Sequence, residues 1–461
     1  MDRVKRRRKW RLTLGLLAGT AFSSLLSGQE PLRNGAPSPE RGFRFLTEKA
    51  YLPADFDEET FDAAWRFWPA DLRDKAEKVT PEQRRQMAFD RYGLTNRPGA
   101  KGQPLQYVVD AKKQWTINCF ACHGGKVAGQ EIPGLPNANY AMQTLTDETR
   151  MAKLVSGKPL TRFDVGSVIV PLGSSRGTTN AVMFGVALMH FRDPDLYVHP
   201  ERGAPRGLVH HDMDAPPWWH YRKKKMLYID GFAEKGHRTL MQFMMDKANG
   251  PAQFKEWEND FRDVEAYLLS LRAPKYPFAI DQTKARVGAE VFTKNCAECH
   301  GEYGDKESYP ERMVEIEEIG TDPVRWKALT AKSRQSYGDS WFANYGKNEL
   351  IPSPEGYVAP PLDGIWASAP YLHNGSVPTL RQVLFPEERL KVWRRRKDDY
   401  DQTQVGLLAE ATTAKPSVID PRELREYFDT STFGKSNQGH NYPTKLSIAE
   451  REMLLEYLKT L

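Results

Sequence analysis

Cysteine is scarce in this chain. Only four cysteines occur among 461 residues, and all four lie in two short motifs, so none remains to build a disulfide framework. After residues 12–26, no segment reaches the roughly 20 apolar residues that span a bilayer, which excludes a polytopic membrane protein. Residues 1–28 hold seven basic side chains and one acidic side chain, which account for the whole net charge of +6. The remainder is electrically balanced and gives no reason to expect nucleic-acid binding.

The two cysteine motifs are Cys-x-x-Cys-His pentads. This spacing is typical of c-type haem attachment, in which both thiols form thioethers with the porphyrin and the histidine binds the iron. Each cysteine pair could also be half of a zinc site or a redox dithiol, and the two pairs together could hold zinc. Neither alternative needs a histidine after each pair, so we expect two covalently bound haem c groups. The predicted cofactor-binding residues are Cys119, Cys122, His123, Cys296, Cys299 and His300.

The N-terminus has the pattern of an export signal. Basic residues precede an apolar run, Leu12–Leu26, and small residues follow it near Gly28. We predict a signal peptide over residues 1–28, with an uncleaved N-terminal anchor as the alternative. Either interpretation predicts a periplasmic protein, since c-type haems are matured outside the bacterial cytoplasm.

The order of helical patterns predicts a mostly α fold with two tandem cytochrome c-like haem domains, long loops and an N-terminal extension. The extension covers residues 29–98 and should pack on the first haem domain, which covers 99–277. The second haem domain covers 281–461. A helix with one apolar face precedes the boundary, and prolines then break it. The residues of that face are Phe261, Val264, Leu268 and Leu271.

Two features predict the helices of the second domain. Gly288 and Phe292 are spaced i, i+4 just before Cys296, as in cytochrome c folds where the first helix crosses the last. Ser447 and Glu450 form the pattern of a capping box at the start of the last helix.

The segment from Ala359 to Leu380 resembles a family signature. It contains Ala-Pro-Tyr-Leu-His-Asn-Gly-Ser, the motif of bacterial dihaem cytochrome c peroxidases and the related MauG-type enzymes. The form of Tyr371–Leu380 is most similar to the rubber-oxygenase (RoxA) branch. The similarity extends to Asn437–His440, before the last helix.

The resemblance implies roles for the axial residues. His123 and His300 would be the proximal iron ligands, and His440 the distal ligand of the C-terminal haem. His373 would lie near that haem and is the second candidate for its distal ligand. In the RoxA branch the N-terminal haem binds dioxygen, which would make the first pentad the reactive centre and the second a relay.

The sequence departs from the peroxidases at two positions. Glu387 stands about fourteen positions after the motif histidine, where those enzymes carry a methionine or tyrosine. Ile229 stands where a tryptophan between the haems is expected. Trp218, Trp219 or Tyr228 could replace it as a relay, and the two tryptophans could equally be packing residues.

No distal ligand of the first haem is evident from the sequence. The stretch Gly173–Ala181 is rich in glycine and hydroxyl groups and could line its pocket. Arg176 in this stretch could pair with a propionate, assist bound peroxide, or be a surface residue.

Three functions therefore stay open. The leading one is an exported dihaem cytochrome that transfers electrons between its haems, with peroxidase-like oxidoreductase activity at one open iron. The alternatives are a pure electron carrier and a RoxA-like dioxygenase for an apolar substrate. The expected partners are a small redox protein or a quinol-linked donor or acceptor, with peroxide or dioxygen as small ligands. We expect a monomer or homodimer and no nucleic acid.

Overall fold

The computed structural model describes residues 35–205, 207–417 and 420–461, without the side chains of 397–399. The predicted signal peptide or anchor, residues 1–28, lies outside the described residues. Within those described ranges, no helix combines the length and apolar character needed to cross a membrane. Contacts group Pro37–Leu461 into one compact unit.

Short runs of helices and of strands follow one another along the chain. The helices are α1 Pro39–Glu48, α2 Glu58–Ala63, α3 Ala70–Glu77, α4 Pro81–Tyr92, α5 Phe120–His123, α6 Met142–Ser156, α7 Arg162–Ile169, α8 Ala181–His190, α9 His237–Met241, α10 Pro251–Ser270, α11 Gln282–Asn295, α12 Ala297–His300, α13 Ile316–Ile319, α14 Val324–Ala328, α15 Ala331–Gly338, α16 Leu380–Leu384, α17 Pro421–Leu424 and α18 Ile448–Leu458. The strands are β1 Phe56–Asp57, β2 Asn96–Arg97, β3 Ala100–Pro104, β4 Tyr107–Val109, β5 Gln114–Ile117, β6 Gly124–Val127, β7 Gln130–Pro133, β8 Met226–Leu227, β9 Ala233–Glu234, β10 Met313–Glu315, β11 Gly356–Val358, β12 Val392–Asp401, β13 Gly406–Thr412 and β14 Tyr427–Asp429.

The predicted fold class, mostly α with two tandem cytochrome c-like domains, is wrong. The structure is mixed α and β, with 42% helix and 14% strand in several small sheets. Many strands are only two to five residues long, too short for an alternating pattern of apolar and polar residues to be visible in the sequence. The longest, β12, includes a basic run that gives no such pattern either.

Two three-stranded sheets have the orders β1-β5-β4 and β13-β12-β14, and the other strands pair in twos. All these pairings are antiparallel. Strand β5 leads directly into the first pentad, and the β6–β7 hairpin follows it, so short strands hold this motif on both sides. In the second sheet Trp393 of β12 stacks on Phe428 of β14, with ring centroids 5.1 Å apart.

The apolar core has three parts. One lies among α2, α4, β5 and the start of α6. A second surrounds α10 and includes Phe120 of the first pentad, and a third surrounds α18 and includes Phe292. Residues 39–98 contribute to the first two parts, so the segment predicted as an extension is built into the core beside the first pentad.

The predicted crossing of the first and last helices of the C-terminal region is confirmed. A Cβ atom on Gly288 of α11 would lie 2.0 Å from the carbonyl oxygen of Met453 in α18, so only glycine permits this approach. Phe292 packs on Tyr457 beside the crossing, with ring centroids 5.2 Å apart. The capping box of Ser447 and Glu450 also forms as predicted.

A second crossing of the same construction joins α1 and α10. A Cβ atom on Gly42 would lie 2.1 Å from the carbonyl oxygen of Asp263. Leu46, four residues later, is buried in the core around α10. Phe43 contacts both Phe120 and Tyr267. The crossing therefore ties the N-terminal helix to the wall of the first pentad.

Replacement of Gly288 by alanine should destabilise the protein by about 1–3 kcal/mol, because the methyl group forces α11 away from α18. Thermal or denaturant unfolding measures the effect. Gly166→Ala is the matched control, since a Cβ there has no neighbour nearer than 4.0 Å in a helix interior. The control should be neutral or stabilising by roughly 0.5–1 kcal/mol. Equal stability of the two variants would contradict the close crossing.

Candidate functional site

One large cavity joins the two pentads. Its volume is about 1570 Å³, above the roughly 300–1,000 Å³ of ordinary small-molecule sites. Cysteines and histidines of both pentads line it, together with His373 and His440. The structure therefore places the predicted haem-attachment residues of both pentads around one cavity, which is larger than an ordinary small-molecule site.

The first pentad is fixed by its neighbours in the chain. Asn118 accepts a hydrogen bond from the backbone N–H of Phe120 and donates one to the carbonyl of Leu105, which starts the short helix α5. Phe120 is fully buried and packs on Trp218, with ring centroids 5.1 Å apart. Because Phe120 anchors one face of α5 in the core, the cysteines and His123 lie on the side that lines the cavity.

His123 is held in a defined tautomer. Its Nδ1 lies 3.0 Å from the carbonyl oxygen of Pro216. A carbonyl only accepts, so Nδ1 carries the proton and Nε2 keeps its lone pair for a metal. Trp218 stacks on the ring at 4.8 Å, and burial lowers the pKa of His123 to about 4. The imidazole is therefore neutral at pH 7, which is the form that ligates iron.

The second pentad repeats this arrangement. Helix α11 ends at Asn295, and α12 carries the pentad into the cavity. The Nδ1 atom of His300 lies 2.8 Å from the carbonyl oxygen of Pro360. Burial lowers the pKa of His300 as well. Both pentad histidines thus use a proline carbonyl to orient the ring, and both are poised as metal ligands through Nε2.

The four thiols do not have the lowered pKa values of a reactive dithiol. Burial raises the pKa of Cys119 to about 12 and that of Cys122 to about 11, whereas redox dithiols have lowered values. Burial also raises the pKa of Cys296 to about 11. In the described part of the chain, no three His, Cys, Asp or Glu side chains converge as a metal site, so the four-cysteine zinc arrangement does not form.

His440 faces His300 across the cavity. Their ring centroids are 6.2 Å apart. A metal–imidazole bond is roughly 2 Å long in zinc sites, so two imidazoles on opposite sides of one metal have centroids roughly 6 Å apart. Burial lowers the pKa of His440 to about 3, and its Nδ1 has no hydrogen-bond partner. With this spacing and with both rings neutral, His300 and His440 are the residues that would hold an iron between them if a haem were bound.

A tight backbone contact holds His440 in this position. A Cβ on Gly439 would lie 2.2 Å from the carbonyl carbon of Gly320, so the loop can approach α13 only with glycine there. The His440 N–H then donates to the carbonyl of Ile319 at 2.7 Å. His440 itself has φ +49°, a conformation that costs a non-glycine residue energy and is found disproportionately at functional sites.

His373 lies on the cavity wall beside Tyr357, with ring centroids 4.6 Å apart. Burial lowers its pKa to about 3. Among the described residues, the ring that contacts His300 from the cavity is that of His440 and not that of His373. The second-candidate role predicted for His373 therefore has less geometric support than the role predicted for His440.

Arg176 lies away from the cavity. Its guanidinium group pairs with Glu426 at 2.8 Å and donates to the carbonyls of Asn139 and Arg91. It is absent from the cavity lining, whereas Thr179 from the same glycine-rich stretch is present. Arg176 therefore ties the chain near residue 426 to the N-terminal region and does not face the position expected for bound peroxide.

Helix α8 gives the cavity one largely apolar wall, although the ionisable side chains of Asp214 and His220 also line the cavity near the first pentad. Helix α8 has the sequence AVMFGVALMH, and most of its residues line the cavity. In the ranges that the structure covers, no second histidine ring contacts His123, and its ring neighbour is Trp218. The two pentads thus differ: the ring that contacts His300 from the cavity is the imidazole of His440, whereas the ring that contacts His123 is the indole of Trp218.

Pro216 and Pro360 were not predicted as site residues, whereas Trp218 was a candidate relay. Both prolines act through backbone carbonyls, which leave no trace in the identity of a side chain. Pro360 lies within Ala359–Leu380, the segment that resembles the family signature. This location is the one sequence feature that could have identified Pro360 as a site residue.

A porphyrin-binding redox protein fits this donor set, because each pentad offers two thiols, an oriented neutral imidazole and adjoining apolar space. The family comparison agrees with that class. A family model described as RoxA-like, cytochrome c-like matches residues 356–394, so this segment is similar to a cytochrome c-like domain, a class of domain that binds haem c. The match covers the Tyr371–Leu380 motif and confirms that part of the resemblance. It includes neither pentad.

Two curated relatives come from Sinorhizobium fredii (strain NBRC 101917 / NGR234). The chain is 26% identical over 286 residues to the uncharacterized protein y4iM, across 54% of this chain and 64% of that protein. It is 29% identical over 266 residues to the uncharacterized protein y4iJ, across 43% of each. The matched part thus spans less than two thirds of either relative's length, and neither name states an activity.

Proposed function

We propose that this protein is a dihaem c-type cytochrome that transfers electrons between two covalently bound haems, with a peroxidase-like reaction at the first. Bound haem would supply one-electron chemistry and, where the protein gives no second axial ligand, a position for peroxide or dioxygen. The chain's own residues determine which of the two positions is open.

The asymmetry between the pentads carries this proposal. His440 opposes His300 at 6.2 Å, so the second position has two imidazoles and suits electron transfer. His123 has a proline carbonyl and a stacked tryptophan on its own side, and an apolar wall from α8 nearby. Among the described residues, no histidine ring contacts that of His123. His190 and His220 also line the cavity, and their Nε2 atoms lie against the carbonyls of Gly203 and Asp363.

A chain of contacts supports electron transfer between the two positions. Trp218 stacks on His123, and the indole N–H of the adjacent Trp219 donates to the carbonyl of Asp363 at 2.7 Å. Asp363 lies three residues after Pro360, whose carbonyl accepts from His300. The route from one pentad histidine to the other thus uses one ring contact, short backbone segments and two hydrogen bonds.

A dioxygenase reaction on an apolar substrate is the second candidate. The apolar wall of α8 favours it, because a hydrocarbon chain could lie against this surface without desolvating polar groups. The RoxA-like match over residues 356–394 agrees with this candidate as well as with the first.

Turnover assays separate the candidates. We expect the haem-loaded protein to oxidise a reduced dye with hydrogen peroxide, and the double variant Cys119→Ala/Cys122→Ala to lose at least 90% of this rate. Dioxygen uptake with a polyisoprenoid but no peroxide turnover would favour the dioxygenase. If the protein shows neither activity and both haems are six-coordinate, both enzymatic candidates are contradicted and the protein is a pure electron carrier.

The cellular setting is part of the proposal. The basic and apolar N-terminal pattern supports export to the periplasm. There the protein would exchange electrons with a small redox protein or a quinol-linked donor or acceptor. Fractionation of cells that express the full chain tests the location, and reduction of the purified protein by candidate donors tests the partner.

A further inference from the structure

A buried cluster of opposite charges adjoins the cavity wall. Asp230 accepts a hydrogen bond from Nη2 of Arg325 at 3.0 Å and another from Nη2 of Arg334. The three side chains are at most 1% exposed. Two guanidinium cations against one carboxylate leave a net positive charge inside the protein, which is unfavourable unless another anion is near.

The two arginines have donors to spare. Nε and Nη1 of Arg325 and Nη1 of Arg334 are buried without a hydrogen-bond partner. Buried donors of a charged group cost more to leave unpaired than neutral ones do. Arg325 also lines the cavity, as does Lys224, which donates to the carbonyl of Tyr228 at 3.2 Å. The part of the positive charge carried by Arg325 and Lys224 therefore adjoins the cavity, with Arg334 buried behind it.

The position of Arg325 relates the cluster to the second pentad. Arg325 lies in α14, just after the segment whose Ile319 carbonyl holds the backbone of His440. On the other side, the carbonyl of Ile229, next to Asp230, accepts from Val358 N–H at 2.6 Å, two residues before Pro360. The cluster thus lies between the segments that position the two imidazoles of the second site.

We propose that Arg325, held together with Arg334 by Asp230, forms a carboxylate-binding site on the cavity wall beside the second pentad. The first source of that carboxylate is a propionate of the haem attached there, so the inference rests on the proposed haem binding. A free small carboxylate has the same chemistry. The charge of the cluster then neutralises the bound anion, and the spare donors hold its oxygens.

Redox titration of the haem-loaded full chain tests the site, with the haem content of every sample counted first. Arg325→Gln should lower the midpoint potential of the haem at the second pentad and leave that of the first unchanged, because a nearby cation favours reduction. Arg325→Lys, which restores the charge, should recover most of the shift. Arg192→Gln is the control, since Arg192 is buried but bonds backbone carbonyls outside this cluster.

Added acetate distinguishes the two sources. If the propionate fills the site, acetate should leave the wild-type potentials unchanged. A saturable shift in the wild type that Arg325→Gln abolishes would support a free carboxylate instead. If Arg325→Gln gives no folded protein, Arg334→Gln carries the same test, with the same direction of shift.

Unchanged potentials in haem-loaded Arg325→Gln or Arg334→Gln, without any acetate effect on the wild type, would overturn the site. Equal shifts at both haems would also overturn it, since they indicate a general change of fold. A wild-type protein without covalent haem would contradict the proposed function, and the haem count reports that outcome separately from the potentials.

Discussion

Replacement of His440 by alanine should convert the haem at the second pentad from low-spin to high-spin. The ring of His440 faces that of His300 at 6.2 Å, and burial keeps it neutral, so it is the side chain placed to complete the axial pair. Without it, a weak ligand such as water or no ligand at all would oppose His300. The ferric absorption and EPR spectra should show loss of the low-spin species, and the haem content should stay the same.

Two controls make this prediction specific. His237→Ala removes a histidine that bonds Glu258 and is absent from the cavity lining, so the spectra should not change. His373→Ala tests the second candidate and should keep the low-spin signal. An unchanged spectrum in His440→Ala, or conversion to high-spin by His373→Ala alone, would contradict the assignment of His440.

Loss of either cysteine pair should reduce the haem content from two groups per chain to one. Each pentad offers two half-buried thiols beside an oriented histidine, and thioether bonds need those thiols. We expect Cys119→Ala/Cys122→Ala and Cys296→Ala/Cys299→Ala each to retain one covalent haem after expression with a c-type maturation system. Pyridine haemochrome spectra and the mass of the denatured chain measure the number directly.

The two double variants should also differ from each other. The variant that keeps only the second pentad should show the low-spin spectrum of two imidazoles, and the variant that keeps only the first should show the other species. A wild-type mass that includes one haem or none would contradict the dihaem interpretation, whatever the variants show.

Sequence patterns predicted the parts of the fold that depend on residue identity. Gly288, Phe292 and the Ser447–Glu450 pair were visible because a close helix crossing demands glycine and a helix start demands a cap. Gly42 and Leu46 in α1 have the same i, i+4 spacing, but they lie in the segment predicted as an extension, and the crossing of α1 with α10 was not predicted. The short strands stayed hidden because pairings of two to five residues depend on distant partners and not on local pattern.

The candidate site, like the fold, has parts that the sequence predicted and parts that it did not. The pentads and the loop of His440 carry their chemistry in their side chains, so the sequence indicated them. The carbonyls of Pro216 and Pro360 orient the two histidines through the backbone, which any residue could supply. Arg176 looked available for chemistry in a glycine-rich stretch, but Glu426, 250 residues away in the chain, occupies its guanidinium group. Only the folded structure brings those two residues together.

The central claim is that the two haem positions are equivalent in attachment and unequal in axial ligation. The EPR spectrum of the oxidised, haem-loaded protein tests it most directly. We expect one high-spin ferric signal from the first position and one low-spin signal from the His300–His440 position, in equal amounts. Two low-spin signals without a high-spin species would contradict it.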